Sequence, residues 1–266
     1  MKYLSKIYIS VIFFLLYAPI LVMIVFSFNS SDSLSVMNGF SFKNYQEVFR
    51  NSEVIGAFKN TLILAVSTAA ISGVLGTAAA VGISRMRSKY LRTSILSITN
   101  IPMMNPDIVT GVSLMLLFVS TGAIIGLQTT LSFWTLLIAH VTFSLPYVIL
   151  SVLPKIKQMD KHLTEAAMDL GCTPLMAFFK VELPCIMPGV VSGITMVFVP
   201  SVSTFYISQK LGGGSFDLIG DVIERQFQQS YNYNLGASLS LVLMVLILIC
   251  MAVMNRFSGD EEGMVI

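Results

Sequence analysis

Long apolar segments separated by short polar ones run along the whole chain. A helix rises about 1.5 Å per residue, so about 20 consecutive apolar residues are needed to cross a hydrocarbon layer about 30 Å thick. Six segments of the sequence meet this requirement, and their interiors are almost free of charged residues. They cover residues 7–28, 61–83, 94–120, 131–153, 189–208 and 235–257. The pattern predicts an all-α, polytopic membrane protein whose 266 residues form a single transmembrane domain.

Two of the six segments depart from a uniform apolar helix. The third contains Pro102 and Pro106, each of which removes a backbone hydrogen bond. Non-helical backbone at membrane depth is tolerated only against protein or a watery cavity, so we expect either a kink that faces a transport pathway or a structural bend. In the second segment, Ser72, Gly76 and Ala80 recur every four residues. They predict a close helix contact, either inside the bundle or at a subunit interface.

The composition agrees with a membrane protein. Hydrophobic residues make up 55% of the chain and charged residues 11%, against about 25% charged residues in soluble domains. The mean hydropathy is +0.81. These values exclude a secreted scaffold and most soluble enzymes. The net charge of +2 gives no indication of nucleic-acid binding, and the three cysteines form neither a disulfide framework nor a metal-ligand spacing. We therefore expect no metal, no cofactor in this chain and no nucleic-acid partner.

Lysine and arginine are distributed unevenly among the loops. When the N-terminus is placed in the cytoplasm, 11 of the 16 basic residues fall on the cytoplasmic side and 5 on the outer side. Cytoplasmic loops of membrane proteins carry an excess of Lys and Arg. We therefore expect both termini to be cytoplasmic, and we expect residues 154–188, between the fourth and fifth spans, to form a cytoplasmic loop.

Residues 154–188 have the pattern of two short amphipathic helices. Asp160 can cap the first helix, and Gly171 supplies the left-handed residue that ends it. Thr173 and Pro174 suit the cap and the first position of a second helix, and we expect Pro184 to end that helix. The apolar positions are Leu163, Ala166, Ala167 and Leu170 in the first helix and Leu175, Phe178 and Phe179 in the second. These faces either pack back onto the bundle or require a partner protein.

The same loop carries a recognisable motif. Glu165-Ala166-Ala167 is followed by three residues, Gly171, nine residues and Val181-Glu182-Leu183-Pro184. This arrangement resembles the EAA loop of binding-protein-dependent ABC importer permeases, whose pattern is E-A-A, three residues, G, nine residues and I-x-L-P. Only Val181 departs from the pattern, and it does so by a conservative exchange.

The resemblance covers nearly the whole chain and implies the type I ABC importer permease fold in a bacterial cytoplasmic membrane. In that family the loop docks in a groove of a cytoplasmic ATPase subunit and transmits closing of the nucleotide sites to the membrane helices. The residues to which the resemblance assigns this coupling are Glu165, Ala166, Ala167, Gly171, Val181, Leu183 and Pro184.

The resemblance also implies partner subunits. The chain has no phosphate-binding loop of the type found in ATPases, so ATP and Mg are expected on a partner. The implied partners are a second homologous permease, two ATPase subunits and an extracellular substrate-binding protein, assembled in the lipid bilayer.

Segments outside the loop are similar to the spermidine/putrescine importer permeases. Three of them are most similar to the second permease of that system: Phe26–Ser31 (FSFNSS), Met104–Val109 (MNPDIV) and His140–Pro146 (HVTFSLP). Three later ones are more similar to its partner permease: Phe205–Ser208 (FYIS), Gly212-Gly213 and Leu218–Ile223 (LIGDVI). The acidic pair usual in this stretch of the second permease is missing. The implied function is ATP-driven import of polyamines by alternating access.

A few polar residues are candidates for contact with the substrate. Asp107 is the only acidic residue inside a predicted span, and a carboxylate there normally faces a cavity or a partner. One carboxylate with aromatic faces suits a weak, transient site for a flexible cation. Asp107 either lines such a passage or caps the helix that restarts after Pro106. Ser203 and Tyr206 are candidates for the same lining, with interfacial anchoring as the alternative for Tyr206.

Other functions remain as alternatives. A permease of the same class for a metal complex, an oxyanion or another organic cation is the first of them. Ion-coupled transporters usually have matching broken helices in their two halves, and the sequence marks a break only in the third span. The sequence has neither the His-Glu-x-x-His nor the Gly-x-Ser-x-Gly pattern of an intramembrane enzyme. Asp217, Asp221 and Glu224, after the fifth span, either meet a partner or a cation or form a solvated face.

Overall fold

The computed structural model describes residues 2–31, 38–126, 131–214 and 216–259, and within these ranges the protein is helical apart from loops and one isolated bridge between Asn29 and Phe40. The helices are α1 (Lys2–Ser27), α2 (Lys43–Arg50), α3 (Ser52–Ser84), α4 (Lys89–Met104), α5 (Asp107–Ile125), α6 (Phe133–Gln158), α7 (Lys161–Asp169), α8 (Pro174–Ala177), a π turn (Phe178–Glu182), α9 (Leu183–Ser203), α10 (Tyr206–Leu211), α11 (Ile219–Gln228) and α12 (Tyr233–Gly259). Six of the described helices are long and apolar enough to cross a membrane. The prediction of an all-α protein with six spans is confirmed.

The centre of the bundle is formed by α3, α6 and α9, which pack against one another along their lengths. Small residues permit this packing. A Cβ atom placed on Gly76 of α3 would lie 2.6 Å from the Cβ of Val148 in α6. Ser72, Gly76 and Ala80 are all buried within this chain. The recurring small residues therefore belong to the interior of the bundle, which was one of the two alternatives for this face.

The third predicted span, 94–120, consists of two helices. Asn105 and Pro106 adopt extended backbone conformations between α4 and α5. The proline ring disfavours the helical conformation of the residue that precedes it, and this ends α4 before Asn105. The helix that is apolar enough to cross the membrane is therefore α5, Asp107–Ile125, whereas α4 packs against α6.

The fifth predicted span, 189–208, differs from the structure at both ends. Helical structure runs without interruption from Pro174 through the π turn into α9, so Pro184 does not end the second helix of the loop. Pro184 directly follows the π turn, and the helix continues through it into α9. Helix α9 ends at Ser203, and Thr204 and Phe205 separate it from α10. The fifth span thus carries a second helix break, which no proline or glycine marks at that position.

The remaining long helices lie at the edge of the central group. Helix α1 packs along α12, and most of the described side chains of α1 are exposed. Helices α2 and α11 are short, lie next to the start of α3 and connect it to α12. The three central helices thus provide the frame from which two functional features extend: the loop between α6 and α9, and the helix breaks around Asp107 and Thr204.

Candidate functional site

The first helix of the loop, α7, has the ends that the sequence predicts. The Asp160 carboxylate accepts a hydrogen bond from the backbone N–H of His162 at 3.0 Å. At the other end, Gly171 has a φ of +90°. Its N–H donates to the Met168 carbonyl at 2.9 Å, and the Cys172 N–H donates to the Ala167 carbonyl at 3.1 Å. These two bonds form a Schellman motif, which satisfies the last carbonyls of the helix and requires a left-handed residue at Gly171.

The second helix begins as expected and then continues further. The Thr173 hydroxyl accepts a hydrogen bond from the Met176 N–H at 3.3 Å, and Pro174 is the first residue of α8. Val181, Leu183 and Pro184 lie on the continuous helix that leads into α9. The two halves of the EAA motif therefore occupy the short helix α7 and the beginning of a membrane-spanning helix.

Apolar side chains of the loop face outward. Leu170, Leu175 and Phe179 are 87%, 73% and 61% exposed, whereas Ala167 and Ala177 are buried. The alternative in which these large side chains pack back onto the bundle does not hold. We call the exposed apolar residues Leu163, Leu170, Leu175, Met176 and Phe179 the knob surface. Several large exposed apolar side chains in one short loop are typical of a protein–protein contact site.

Glu165 and Ala166 are also exposed, on the same helix as Leu163. The Glu165 carboxylate lies 3.2 Å from Nδ1 of His162, and both side chains are largely accessible to solvent. In the described part of the chain, no group of three or more His, Cys, Asp or Glu side chains is arranged to hold a metal ion.

Sequence reasoning did not single out Glu182, although both oxygens of its carboxylate have a partner. One oxygen lies 2.7 Å from the Arg85 guanidinium at the end of α3, and the other accepts a hydrogen bond from the Thr164 hydroxyl at 3.3 Å. The motif leaves the Glu182 position unspecified, and Arg85 precedes it by 97 residues. The available signal was an acidic residue between two apolar ones, Val181 and Leu183, just before the apolar fifth span.

Asp107, Ser203 and Tyr206, the three residues predicted to line a passage, surround one cavity of about 190 Å³. Each lies at a helix break: Asp107 begins α5, Ser203 ends α9 and Tyr206 begins α10. The other residues that line the cavity are Phe143, Tyr147, Pro200, Thr204 and Phe205. The cavity therefore contains one carboxylate and four aromatic rings.

The polar groups of this cavity differ in their hydrogen bonding. The Ser203 hydroxyl donates to the carbonyl of Val199, one turn earlier, at 3.1 Å. The Thr204 hydroxyl is buried without a hydrogen-bond partner among the described residues. No side-chain hydrogen bond caps the described start of α5. Asp107 is the first residue of α5, and a negative charge in the first turn of a helix is favourable. Asp107 also lines the cavity.

Two of the acidic residues after the fifth span, Asp217 and Asp221, bind other side chains of this chain. The Arg225 guanidinium lies 2.6 Å from both Asp217 and Glu53, and this links α11 to the start of α3. The Asp221 carboxylate accepts hydrogen bonds from the Ser208 hydroxyl at 2.7 Å and from the Leu218 N–H at 2.9 Å. Burial raises the pKa of Asp221 to about 6, against the opposing effect of these bonds. Asp221 thus joins α11 to α10, and Asp217 pairs with the arginine that contacts α3.

Comparison with known proteins identifies the family. Residues 72–258 match the model of the family described as the inner membrane component of binding-protein-dependent transport systems. The chain belongs to this family. The chain is therefore a transport subunit of the inner membrane and not an enzyme, as the sequence predicts.

Curated relatives of this permease carry names of polyamine transport. The putrescine transport system permease protein PotI of Escherichia coli K12 is 36% identical over 201 residues, which are 76% of this chain and 72% of the relative. The spermidine/putrescine transport system permease protein PotC of Haemophilus influenzae is 32% identical over 217 residues, 82% of each chain. PotC of E. coli K12 is 34% identical over 212 residues, 80% of this chain and 78% of the relative.

Solved structures confirm the fold of the permease. A chain from a bacterial ABC transporter involved in the import of the acidic polysaccharide alginate superimposes with a TM-score of 0.80 at 19% identity, covering 97% of this chain and 95% of that one. A chain of the MetNI methionine ABC transporter gives a TM-score of 0.58 at 18% identity, over 79% of this chain and 98% of that one. The fold of ABC importer permeases, which the motif implied, is therefore confirmed.

Proposed function

We propose that this chain is a membrane-spanning subunit of an ATP-driven importer that moves polyamines, spermidine or putrescine, into the cytoplasm by alternating access. The observation that carries the proposal is the similarity to polyamine permeases over about three quarters of the chain. The same fold occurs in a transporter of an acidic polysaccharide, so the choice of substrate rests on these relatives and on the lining of the cavity.

The cavity at the helix breaks has the chemistry of a weak site for an organic cation. The Asp107 carboxylate attracts an ammonium group, and the rings of Tyr147, Phe205 and Tyr206 offer faces that favour cations. A site with a single carboxylate binds a cation loosely. Loose binding suits a passage, because a substrate that must leave on the other side cannot be held tightly.

The knob surface is the proposed contact with the ATPase. Its large apolar side chains are exposed in this chain, next to Glu165 and Ala166 of the motif. ATP and Mg belong to the ATPase partner in this proposal, because the chain lacks a phosphate-binding loop. The proposed assembly also includes a second permease and an extracellular binding protein, with both termini of this chain in the cytoplasm.

Uptake measurements test the proposal. Cells that lack their own polyamine importers would express this chain with the subunits encoded beside it, and uptake of radiolabelled spermidine and putrescine would be measured. We expect energy-dependent uptake that Gly171→Asp abolishes. The matched control is Gly126→Asp, since Gly126 also has a positive φ and ends α5 away from the loop.

Two results would contradict the proposal separately. An assembled complex that transports neither polyamine would exclude the substrate and direct the search to other solutes. Full uptake with Gly171→Asp would exclude the coupling function of the loop.

A further inference from the structure

Three structural elements meet at the side chain of Glu182. Arg85 follows the last residue of α3, Thr164 lies in the middle of α7, and Glu182 is the last residue of the π turn before α9. The Glu182 side chain is 13% exposed, whereas that of Arg85 is 58% exposed. One carboxylate therefore joins two membrane-spanning helices to the short helix that carries Glu165 and Ala166.

Both oxygens of the carboxylate have a partner. One forms the ion pair with Arg85 at 2.7 Å, and the other accepts the bond from Thr164 at 3.3 Å. A carboxylate that is mostly withdrawn from water is unfavourable unless it is paired and hydrogen-bonded. The three side chains consequently form one connected network.

Glu182 is the last residue of the π turn. Residues Phe178–Glu182 form it, and the Leu183 N–H donates to the Phe178 carbonyl. Compared with an α-helix, a π turn contains one additional residue, which rotates the helix before the turn by about 100° relative to the helix after it. Without the π turn, α8 would be rotated differently relative to α9, and Glu182 lies where the two meet. Single π turns within helices are frequent at functional sites.

Among the residues that the structure describes, helix α7 has few other connections to the membrane bundle. Non-helical residues bound it at both ends: Met159 and Asp160 before it, and Leu170 to Thr173 after it. Its packing neighbours are α8 and the π turn. The bond between Thr164 and Glu182 therefore connects α7 to the ends of α3 and α9 by a route other than the chain itself.

We propose that Glu182 is a positioning residue that makes α7, α3 and α9 move as one unit when the ATPase displaces α7. This inference rests on the proposed docking of the loop on the ATPase. The carboxylate transmits the displacement through the Thr164 bond to α9 and through the Arg85 ion pair to α3. When the ion pair is lost, α3 no longer moves with α7 and α9. ATP is then hydrolysed without full opening of the bundle.

The test uses the complete complex reconstituted in lipid vesicles. Uptake of substrate and hydrolysis of ATP would be measured on the same preparation, and their ratio is the readout, normalised to assembled complex. The variants are Glu182→Gln, Arg85→Gln and the double variant. The matched controls are Asp169→Asn and Arg87→Gln, which alter exposed charges of α7 and of the segment after α3.

We expect each single variant to lower the uptake per ATP about fivefold or more, and the controls to leave the ratio unchanged. The double variant should be no worse than the poorer single variant, because both changes remove the same ion pair. Additive losses in the double variant would overturn the inference. So would a lower yield or thermal stability of the complex with an unchanged ratio, since that result indicates a merely structural role.

Gly171→Asp in the same assay separates the two proposals. If it uncouples hydrolysis from uptake while Glu182→Gln and Arg85→Gln keep the full ratio, the positioning function of Glu182 is excluded and the docking of the loop stands. If Gly171→Asp keeps the full ratio as well, the docking itself is excluded, and the inference about Glu182 falls with it.

Discussion

Single residues set how closely the central helices approach. Gly76 lies where a Cβ would be 2.6 Å from the Cβ of Val148, whereas a Cβ on Gly82, six residues later in α3, would meet nothing within 4 Å. Only one of the two glycines therefore has to be small because of a neighbouring helix. At Gly76 the reason is contact with α6, and at Gly82 no neighbour requires it.

We expect Gly76→Ala to destabilise the protein by about 1–3 kcal/mol, because the added methyl group forces α3 and α6 apart. Gly82→Ala should be neutral or stabilise by up to about 1 kcal/mol, since alanine favours the helix. Thermal unfolding of the purified permease in detergent measures both. Equal effects of the two glycine changes would contradict this account.

Asp221 gives a second prediction at the scale of one residue. Its pKa is raised to about 6 in the folded protein from an ordinary value of 3.8, so the folded state binds the proton more readily than the unfolded state. This group favours folding fully below about pH 4, and its contribution is lost as the pH rises to about 6. The free energy of unfolding of Asp221→Asn, relative to that of the unchanged protein, should therefore be higher at pH 7 than at pH 4.5.

Thermal unfolding temperatures at the two pH values test this prediction. Asp217→Asn provides the contrast, because the Asp217 carboxylate pairs with Arg225 and its loss should destabilise at pH 7. A constant difference between Asp221→Asn and the unchanged protein at both pH values would show that the carboxylate does not titrate in this range.

At the scale of elements, local signals located the short helix α7 well and the helix breaks less well. Asp160 and Gly171 act within their own turns, so both ends of α7 could be predicted. The continuation of helix through Pro184 depends on the π turn before it, which has no sequence signature. The break at Thr204 and Phe205 lies after Pro200 and depends on the packing of α10 against α5, which the sequence does not show.

The knob surface gives a prediction at this scale. Phe179 is 61% exposed, so replacing it should leave folding of the chain intact while removing a contact with the ATPase. We expect Phe179→Ser to weaken association with the ATPase at least about tenfold, as loss of a buried aromatic anchor does in other interfaces. Phe49→Ser is the matched control, since Phe49 on α2 is 65% exposed.

Co-purification of the tagged permease with its ATPase measures the effect. Retention of the ATPase by the Phe179 variant would contradict the proposed contact. Loss of the ATPase from the Phe49 variant would indicate a general defect of assembly.

At the scale of the whole molecule, the sequence and its resemblance predicted the fold class, the family and the number of spans. The meeting of Asp107, Ser203 and Tyr206 at one cavity was not predictable by the same means. Ninety-six residues separate Asp107 from Ser203, and their proximity results from the packing of α5 against α10 and of α10 against α6. Each residue was a candidate by its chemistry, and only the tertiary structure made them one site.

The cavity gives the prediction at this scale. We expect Asp107→Asn to lower polyamine uptake at least about tenfold with little effect on assembly, because the only carboxylate lining the cavity is lost. Asp107→Glu should retain most of the uptake, since it keeps the charge. Uptake at several substrate concentrations, with the amount of assembled complex determined in parallel, provides the measurement. Full activity of the Asn variant would remove Asp107 from the passage.

The meeting of helix ends at this cavity also determines its electrostatic potential. A helix carries about half a positive elementary charge at its N-terminus and half a negative one at its C-terminus. The C-terminus of α9 therefore contributes negative charge, and the carboxylate of Asp107 more than offsets the positive end of α5. Helix α10 opposes this, but it is only six residues long. The helix ends thus help a single acidic side chain to keep the cavity negative.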